Sequence, residues 1–219
     1  MTIFVIFLCM VWFYFYARGK DHTKSALILL VKRIADEKLP KEMFHEDIET
    51  ELFELLKHRE EIMEDFFDKN VKTGIAIDLD KKLNKDEFLR LISEKLATRI
   101  GQSKEEIYEE FIEREQASST NISKGIAIPH IIIPGEDRFQ LALVRAKQGI
   151  EWEKDKEPVK AVFVLIGSLD KRDTHLKALM AVSQIVQNEE FFSNWESAEN
   201  AEELKSIIML MPRKRHEEE

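Results

Sequence analysis

The chain has 219 residues, of which 44% are hydrophobic and 34% are charged, with only 7 glycines and 5 prolines. This composition predicts one well-packed domain with appendages and a high helix content. The formal net charge of -9 argues against a general nucleic-acid-binding role, because phosphate backbones require a basic surface. The single cysteine, Cys9, excludes an intrachain disulfide and a zinc site built from cysteines, so the main domain is expected in a reducing compartment.

Residues 1–17 are apolar except for Thr2, and they are predicted to form a transmembrane helix. A cleaved signal peptide fits poorly, because no basic residue precedes the run and no small-residue cleavage site ends it. The run spans roughly 26 Å at ~1.5 Å per residue, which is short for a hydrocarbon core of ~30 Å. We therefore expect a truncated membrane helix that belongs to a longer membrane protein. The positive-inside rule then places the rest of the chain on the cytoplasmic side of the inner membrane, since basic residues follow at Arg18, Lys20, Lys24, Lys32 and Arg33.

Residues 18–70 are predicted to be a helical linker, amphipathic at first and acidic later. The segment "KSALILLVKRIADEKL" has its apolar residues on one helical face, so it could lie on the membrane surface or pack on the domain, and both remain open. After Pro40, apolar residues from Ile48 to Phe66 recur at steps of four and three. This coiled-coil-like pattern lasts less than three heptads, which favours a spacer helix over self-association.

Residues 71–211 are predicted to form an α/β domain that begins with a short strand or turn at "GIAIDLD". The next segment, "NKDEFLRLISEKLATRIG", is typical of a capped helix, with Asn84 at its start and Gly101 just past its end. The segment "SKEEIYEEFIERE" predicts a second helix, in which Ser103 and Glu106 have the spacing of a capping box.

Strands then alternate with helices. The segment "GIAIPH" predicts a buried strand that ends at Pro129, so that His130 emerges where the strand leaves the sheet. "FQLALVRAK" predicts another strand, and "VKAVFVLIG" is so apolar that it indicates an interior strand covered on both faces. "DTHLKALMAVSQIVQ" and "SAENAEELKSIIMLM" predict helices, and residues 212–219 form a charged tail that we expect to be frayed. The predicted fold is a mixed β-sheet sandwiched between helices.

Two histidines and one arginine have the chemistry of a phosphoryl carrier. Neutral imidazole is a nucleophile near pH 7, and both His130 and His175 lie beside apolar runs. Arg114 offers a planar fork of donors for phosphoryl oxygens, and the hydroxyls of Ser118, Ser119 and Thr120 could add further donors. This chemistry requires no metal or cofactor.

Each of these residues also has an ordinary structural explanation. A lone histidine on an apolar face is often a hydrogen-bonded core residue. Arg114 could form a surface ion pair with Glu113 or Glu110, and "SST" could be a turn. Spacing alone therefore leaves both alternatives open.

The ordered series "FIEREQASSTNISKGIAIPH", "AVFVLIG" and "HLKALMAVSQIV" resembles the enzyme IIA domain of the fructose–mannitol type in the bacterial phosphoenolpyruvate:sugar phosphotransferase system. The resemblance extends from about Leu79 to Leu210. It implies that His130 is the phosphorylated residue, that His175 assists it and that Arg114 lines the site. It also implies a fold in which a mixed sheet lies between helices.

The rest of the chain departs from a sugar-uptake subunit, since no IIB domain with a phosphorylatable cysteine follows residue 211. Together with the apolar N-terminal run, the segment "LVRAKQGIEW" is similar to IIA-like domains at the C-terminus of amino-acid permease-type transporters, where the domain is regulatory. We therefore expect a membrane-tethered phosphoryl-accepting domain, a histidine phosphotransferase if active, that regulates the membrane domain of a transporter. One alternative is a subunit that relays phosphate from a phosphorylated histidine carrier protein to a separate IIB partner. The other is a binding module that is never phosphorylated.

Overall fold

The computed structural model describes residues 64–123 and 125–215. The predicted transmembrane helix at 1–17 and nearly all of the predicted linker lie outside these residues. No helix within the described ranges is both long enough and apolar enough to cross a bilayer.

The described residues form six helices and seven strands around one sheet. In chain order these are α1 (Phe66–Thr73), β1 (Ile75–Leu79), β2 (Leu83–Asn84), α2 (Lys85–Ile100), α3 (Lys104–Ala117), β3 (Asn121–Ser123), β4 (Ile126–Ala127), β5 (His130–Ile133), β6 (Phe139–Glu151), β7 (Val159–Ser168), α4 (Arg172–Val186), α5 (Phe191–Ser197) and α6 (Ala201–Leu210). A 3₁₀ turn, Leu169–Lys171, joins β7 to α4.

The antiparallel hairpin of β6 and β7 is the centre of the sheet. Strands β1 and β2 lie end to end along β6 and parallel to it, while β4 and β5 lie end to end along β7 and parallel to it. The short β3 pairs antiparallel with β4. In β7 only Lys160 is exposed, so the predicted interior strand is confirmed. The predicted mixed sheet between helices is confirmed as well.

The two faces of the sheet are covered by different helices. Val162, Val164 and Ile166 of β7 belong to the apolar core that contains the buried faces of α2 and α3. The ring of Phe163, which points to the opposite face, packs against Phe191 and Trp195 of α5. Helix α4 also packs on β7. Side chains from both helical layers can therefore reach β5, which pairs only with β7 among the described strands.

The predicted helix caps are confirmed. Asn84 Oδ1 accepts a hydrogen bond from the Glu87 amide at 2.9 Å, and Glu87 accepts one from the Asn84 amide at 2.9 Å. Gly101 ends α2 with a left-handed φ of 70°, a conformation that favours glycine. Ser103 and Glu106 form the same reciprocal box at the start of α3. The caps fix the starts of α2 and α3, and α3 packs on β5 of the sheet.

The "GIAIPH" strand does stop before Pro129, since β4 ends at Ala127, but the prediction that His130 lies where the chain leaves the sheet is wrong. Proline lacks an N–H, but the Pro129 carbonyl still accepts a hydrogen bond from the Leu165 amide at 3.0 Å. Pairing with β7 therefore resumes at His130 and continues to Ile133. His130 lies at the start of a new strand segment, directly after a two-residue interruption, rather than at the exit from the sheet.

The predicted fraying of the charged tail does not hold for its first residues. Arg213 forms a bidentate pair with Asp65, at 2.6 and 2.7 Å, and Arg215 bonds to Asp68 at 3.1 Å. Helix α1, part of which was assigned to the linker, packs on α6 and β6 and buries Phe67. These residues are therefore part of the folded domain, and the other predicted segment boundaries stay predictions.

Candidate active site

His130 makes hydrogen bonds through both ring nitrogens. Its Nδ1 lies 2.7 Å from the carbonyl oxygen of Ile128, and a carbonyl oxygen can only accept, so Nδ1 carries the proton. The neutral ring then has its lone pair on Nε2. The ring is half-buried at the start of β5, and Nε2 is the nitrogen available for bond formation.

Arg114 donates to that same nitrogen from the last turn of α3. Its Nε and one terminal nitrogen lie 3.2 and 3.0 Å from His130 Nε2, and the other terminal nitrogen donates to the Ser118 carbonyl at 2.9 Å. The surface ion pair with Glu113 or Glu110 is absent from the described part of the chain. Arg114 is therefore bonded only to neutral acceptors, and its charge can still bind an anion.

His175 approaches His130 from the first turn of α4. The ring centroids are 5.8 Å apart, and His175 is only 3% exposed. Neither of its ring nitrogens has a hydrogen-bond partner within residues 64–123 and 125–215. A buried polar atom without a partner costs about 1–3 kcal/mol, so a ligand that bonds to His175 would recover this energy.

Gly167 provides the space in which the His175 ring lies. A Cβ atom at Gly167 would be 3.1 Å from His175 Nδ1 and 3.3 Å from the Phe139 ring. Phe139 packs edge-on against His175 with the ring centroids 6.1 Å apart. On β7, Gly167 follows two residues after Leu165, the register partner of His130, so both histidines lie over the same face of the sheet.

Both histidines are held neutral near pH 7. Burial lowers the pKa of His130, and the Arg114 charge acts in the same direction, although the bond to the Ile128 carbonyl and the Glu115 charge raise it. Burial and, to a smaller extent, the proximity of His130 together lower the pKa of His175 from 6.5 to about 4. A neutral His130 retains the lone pair that a nucleophile needs.

The three predicted phosphoryl-binding residues have other partners in this structure. Ser119 Oγ donates to Glu153 at 2.6 Å, and Thr120 Oγ1 donates to Glu115 at 2.6 Å. A hydroxyl has one proton to donate, so neither group offers a donor to a phosphoryl oxygen in this arrangement. Ser118 contributes its backbone carbonyl to Arg114. Phosphoryl binding by Ser118, Ser119 and Thr120 stays a prediction.

The structure thus brings Arg114, His130 and His175 together, and it adds Glu115, which was not among the predicted residues. Glu115 is buried on the face of α3 that also buries Ile107 and Phe111. The signal in the sequence is the regular spacing of four, which places an acidic residue on an apolar helical face.

Comparisons with known proteins indicate the family and the fold of this domain. The family described as "Phosphoenolpyruvate-dependent sugar phosphotransferase system, EIIA 2" matches residues 70–210. A nitrogen regulatory protein of Bradyrhizobium diazoefficiens is 26% identical over 130 residues, which are 59% of this chain and 85% of that protein. A nitrogen regulatory protein of Klebsiella oxytoca is 32% identical over 57% of this chain and 78% of its own length.

Among solved structures, the nitrogen regulatory protein IIA-Ntr of Neisseria meningitidis has a TM-score of 0.56 and 22% identity, covering 61% of this chain and 92% of that chain. At this identity the likeness concerns the fold. Together with the family match, it confirms the resemblance to the enzyme IIA domain of the fructose–mannitol type, while the similarity to domains of permease-type transporters stays a prediction.

Proposed function

We propose that this chain, which belongs to the EIIA 2 family of the phosphoenolpyruvate-dependent sugar phosphotransferase system, accepts a phosphoryl group on Nε2 of His130. One observation carries the proposal: the Ile128 carbonyl holds the ring proton on Nδ1, and the Arg114 guanidinium lies against the free lone pair of Nε2. The nucleophilic nitrogen of His130 is thus in contact with the Arg114 cation, which has no carboxylate partner among the described residues.

The transfer step needs no proton to leave the reacting nitrogen. The Nε2 lone pair forms the new P–N bond, and the P–N bond of the donor phosphohistidine breaks with its electron pair returning to the donor ring. Arg114 must shift from Nε2 to the phosphoryl oxygens during this step. Phosphoryl transfer depends mainly on positioning and on neutralisation of oxygen charge. The guanidinium of Arg114 therefore stabilises the transferring phosphoryl group more than the neutral side chains of the site do.

His175 is proposed to stabilise the phosphorylated state. A neutral imidazole has one N–H, and that of His175 has no acceptor in the described part of the chain. A phosphoryl oxygen on His130 would provide this acceptor. The lowered pKa of His175, to about 4, means that it donates as a neutral ring over the physiological pH range.

The regulatory role and the membrane tether belong to the same proposal. Residues 1–17 would anchor the chain in the inner membrane with its domain on the cytoplasmic face, next to the membrane domain of a transporter. Phosphorylation would add about one to two negative charges beside Arg114 and so change docking on that membrane domain. The names of the two relatives, both nitrogen regulatory proteins, favour regulation. A relay from a phosphorylated histidine carrier protein to a IIB partner is the second candidate, favoured by the sugar phosphotransferase family itself.

The test of phosphorylation uses the full chain in detergent with phosphoenolpyruvate, enzyme I and the histidine carrier protein. We expect one acid-labile phosphate per chain by intact mass, with a P–Nε2 signature by NMR. His130→Ala should abolish it. His58→Ala, which removes a histidine outside the matched residues 70–210, should not. A wild-type chain that gains no phosphate leaves only the binding-module alternative, whereas a His130→Ala chain that gains as much phosphate as the wild type would show that His130 is not the acceptor.

The tether and the relay are tested separately. We expect the full chain to stay with the membrane pellet after alkaline carbonate washing, and its recovery in the supernatant would contradict a membrane helix at 1–17. Phosphorylated chain mixed with a purified IIB protein should keep its phosphate if it is regulatory. Rapid loss of phosphate to a cysteine of IIB would favour the relay.

A further inference from the structure

The buried carboxylate of Glu115 is bonded to four donors. Its Oε2 accepts from the Thr120 amide at 3.0 Å and from Thr120 Oγ1 at 2.6 Å. Its Oε1 accepts from Trp152 Nε1 at 2.9 Å, with Lys85 Nζ at 3.4 Å. Bonds to an ionised acceptor are the stronger kind, and Glu115 is only 9% exposed, so these bonds fix the position of Thr120 firmly.

Thr120 leads from Glu115 to His130 in two further steps. The Thr120 carbonyl accepts from the Ile128 amide at 2.9 Å, across the base of the β3–β4 hairpin. The Ile128 carbonyl in turn accepts the Nδ1 proton of His130 at 2.7 Å. Glu115 is therefore joined to the proton of the proposed nucleophile through the backbone of two residues.

The Ile128 carbonyl needs such support because of the proline that follows it. Ile128 and Pro129 lie in the interruption between β4 and β5, and Pro129 has no N–H to pair with a neighbouring strand. The Ile128 carbonyl accepts from the His130 ring instead of from a strand. The bond between the Ile128 amide and the Thr120 carbonyl thus holds this residue on one side, and the bond between the Leu165 amide and the Pro129 carbonyl holds the backbone that follows it.

We infer that Glu115 is a positioning residue: through Thr120 and Ile128 it keeps the ring proton of His130 on Nδ1 and so reserves Nε2 for the phosphoryl group. The inference rests on the proposed function for its consequence, but the position of the proton can be measured without any phosphorylation. If Glu115 were only a structural carboxylate that holds Trp152 and Lys85, its loss would lower stability and leave the proton on Nδ1.

The main variant is Glu115→Gln in the full chain. A glutamine oxygen can still accept from Thr120, but its NH₂ group then faces the donors of Trp152 and Lys85, so the side chain is expected to turn and release Thr120. The matched control is Glu196→Gln, because Glu196 is an exposed carboxylate that pairs with Lys160 at 2.8 Å.

The measurement is the tautomer of His130 by long-range ¹H–¹⁵N NMR on histidine-labelled, unphosphorylated chain at a pH where the ring is neutral. We expect Nδ1–H alone in the wild type and in Glu196→Gln, and a mixture with Nε2–H in Glu115→Gln. Phosphoryl uptake by Glu115→Gln should fall roughly tenfold, because the ring of His130 is then less often in the tautomer that leaves Nε2 free; this factor corresponds to about 1.4 kcal/mol.

Thr120→Val is the second variant, in case Glu115→Gln does not fold. It keeps the shape and the backbone of Thr120 but removes one of its two bonds to Glu115, so a smaller shift in the same direction is expected. If Glu115→Gln and Thr120→Val, or whichever of them folds, show only the Nδ1–H tautomer of His130, the inference is wrong, whatever the phosphorylation result. A wild type that shows Nδ1–H but takes up no phosphate contradicts the proposed function and leaves the positioning of the proton intact.

Discussion

Two arginines, Arg145 on β6 of the central hairpin and Arg114 on α3, have opposite surroundings. Arg145 of β6 is 4% exposed; its Nε and one terminal nitrogen bond to Asp78 at 2.6 and 2.7 Å. Its other terminal nitrogen donates to carbonyls at the end of α5 and just after it, among them those of Trp195 at 3.1 Å and Ala198 at 2.5 Å. Arg114 bonds to a neutral imidazole and one carbonyl. The guanidinium of Arg145 has a carboxylate counterion, whereas that of Arg114 has none among the described residues.

This difference agrees with a structural role for the cluster around Arg145 and with the phosphoryl-binding role that we propose for Arg114. Buried charges are normally paired, as that of Arg145 is, whereas the partly buried Arg114 has no carboxylate partner within residues 64–123 and 125–215 and can bind an anion. His175, with no partner for either nitrogen in the part of the chain that the structure describes, strengthens the same contrast. We therefore expect substitutions near Arg145 to act on stability, and substitutions near Arg114 to act on phosphoryl transfer.

The largest expected effect on stability comes from Asp78→Asn. The substitution leaves the buried Arg145 charge without a counterion, which typically costs about 4 kcal/mol. The measurement is urea unfolding of the full chain in detergent, followed by tryptophan fluorescence. Asp86→Asn, which removes an exposed i,i+4 partner of Arg90, is the control and should cost less than about 1 kcal/mol. Equal losses in the two variants would contradict a structural role for the Arg145 cluster.

The next effect is a pH dependence that originates at His175. Its pKa is about 4 in the folded state against 6.5 for the ordinary group, so between these values the unfolded chain binds a proton that the folded chain does not. Stability therefore falls as the pH is lowered from about 6.5 towards 4, by roughly 3 kcal/mol in total.

His175→Gln removes this contribution and should flatten the loss over the same range. His130 also has a lowered pKa and contributes in the same direction, so the comparison is between the two unfolding curves rather than within one. Parallel curves for wild type and His175→Gln between pH 6.5 and 4 would contradict a buried, neutral His175.

What the sequence predicted well was local. The caps of α2 and α3 depend on residues three positions apart, and the interior strand β7 follows from an unbroken apolar run. The site residues Arg114, His130 and His175 came from an ordered motif series, and the structure places them together.

What the sequence did not predict depends on pairing between distant segments. Arg213 pairs with Asp65, which lies 148 positions earlier in the chain, and no periodicity in the sequence indicates such a pair. The resumption of strand pairing after Pro129 depends on an amide of β7, and Glu115 bonds to Trp152, which lies 37 positions away. Short-range patterns carry no information on these contacts, because each one forms only when two separate elements meet.

The smallest effect on stability is expected for Arg114→Met. This variant is also the most direct test of whether Arg114 and Arg145 have different roles. Its loss leaves the half-buried His130 Nε2 and the exposed Ser118 carbonyl to water, so the free energy of unfolding should change by less than about 1 kcal/mol. Phosphoryl uptake should fall about a hundredfold, because a preorganised charge on the transferring group is lost. Arg114→Lys should lie between, since it keeps the charge without the fork. An Arg114→Met chain that unfolds as readily as Asp78→Asn would show that both arginines are structural. In that case the missing counterion at Arg114 would not mark a binding site.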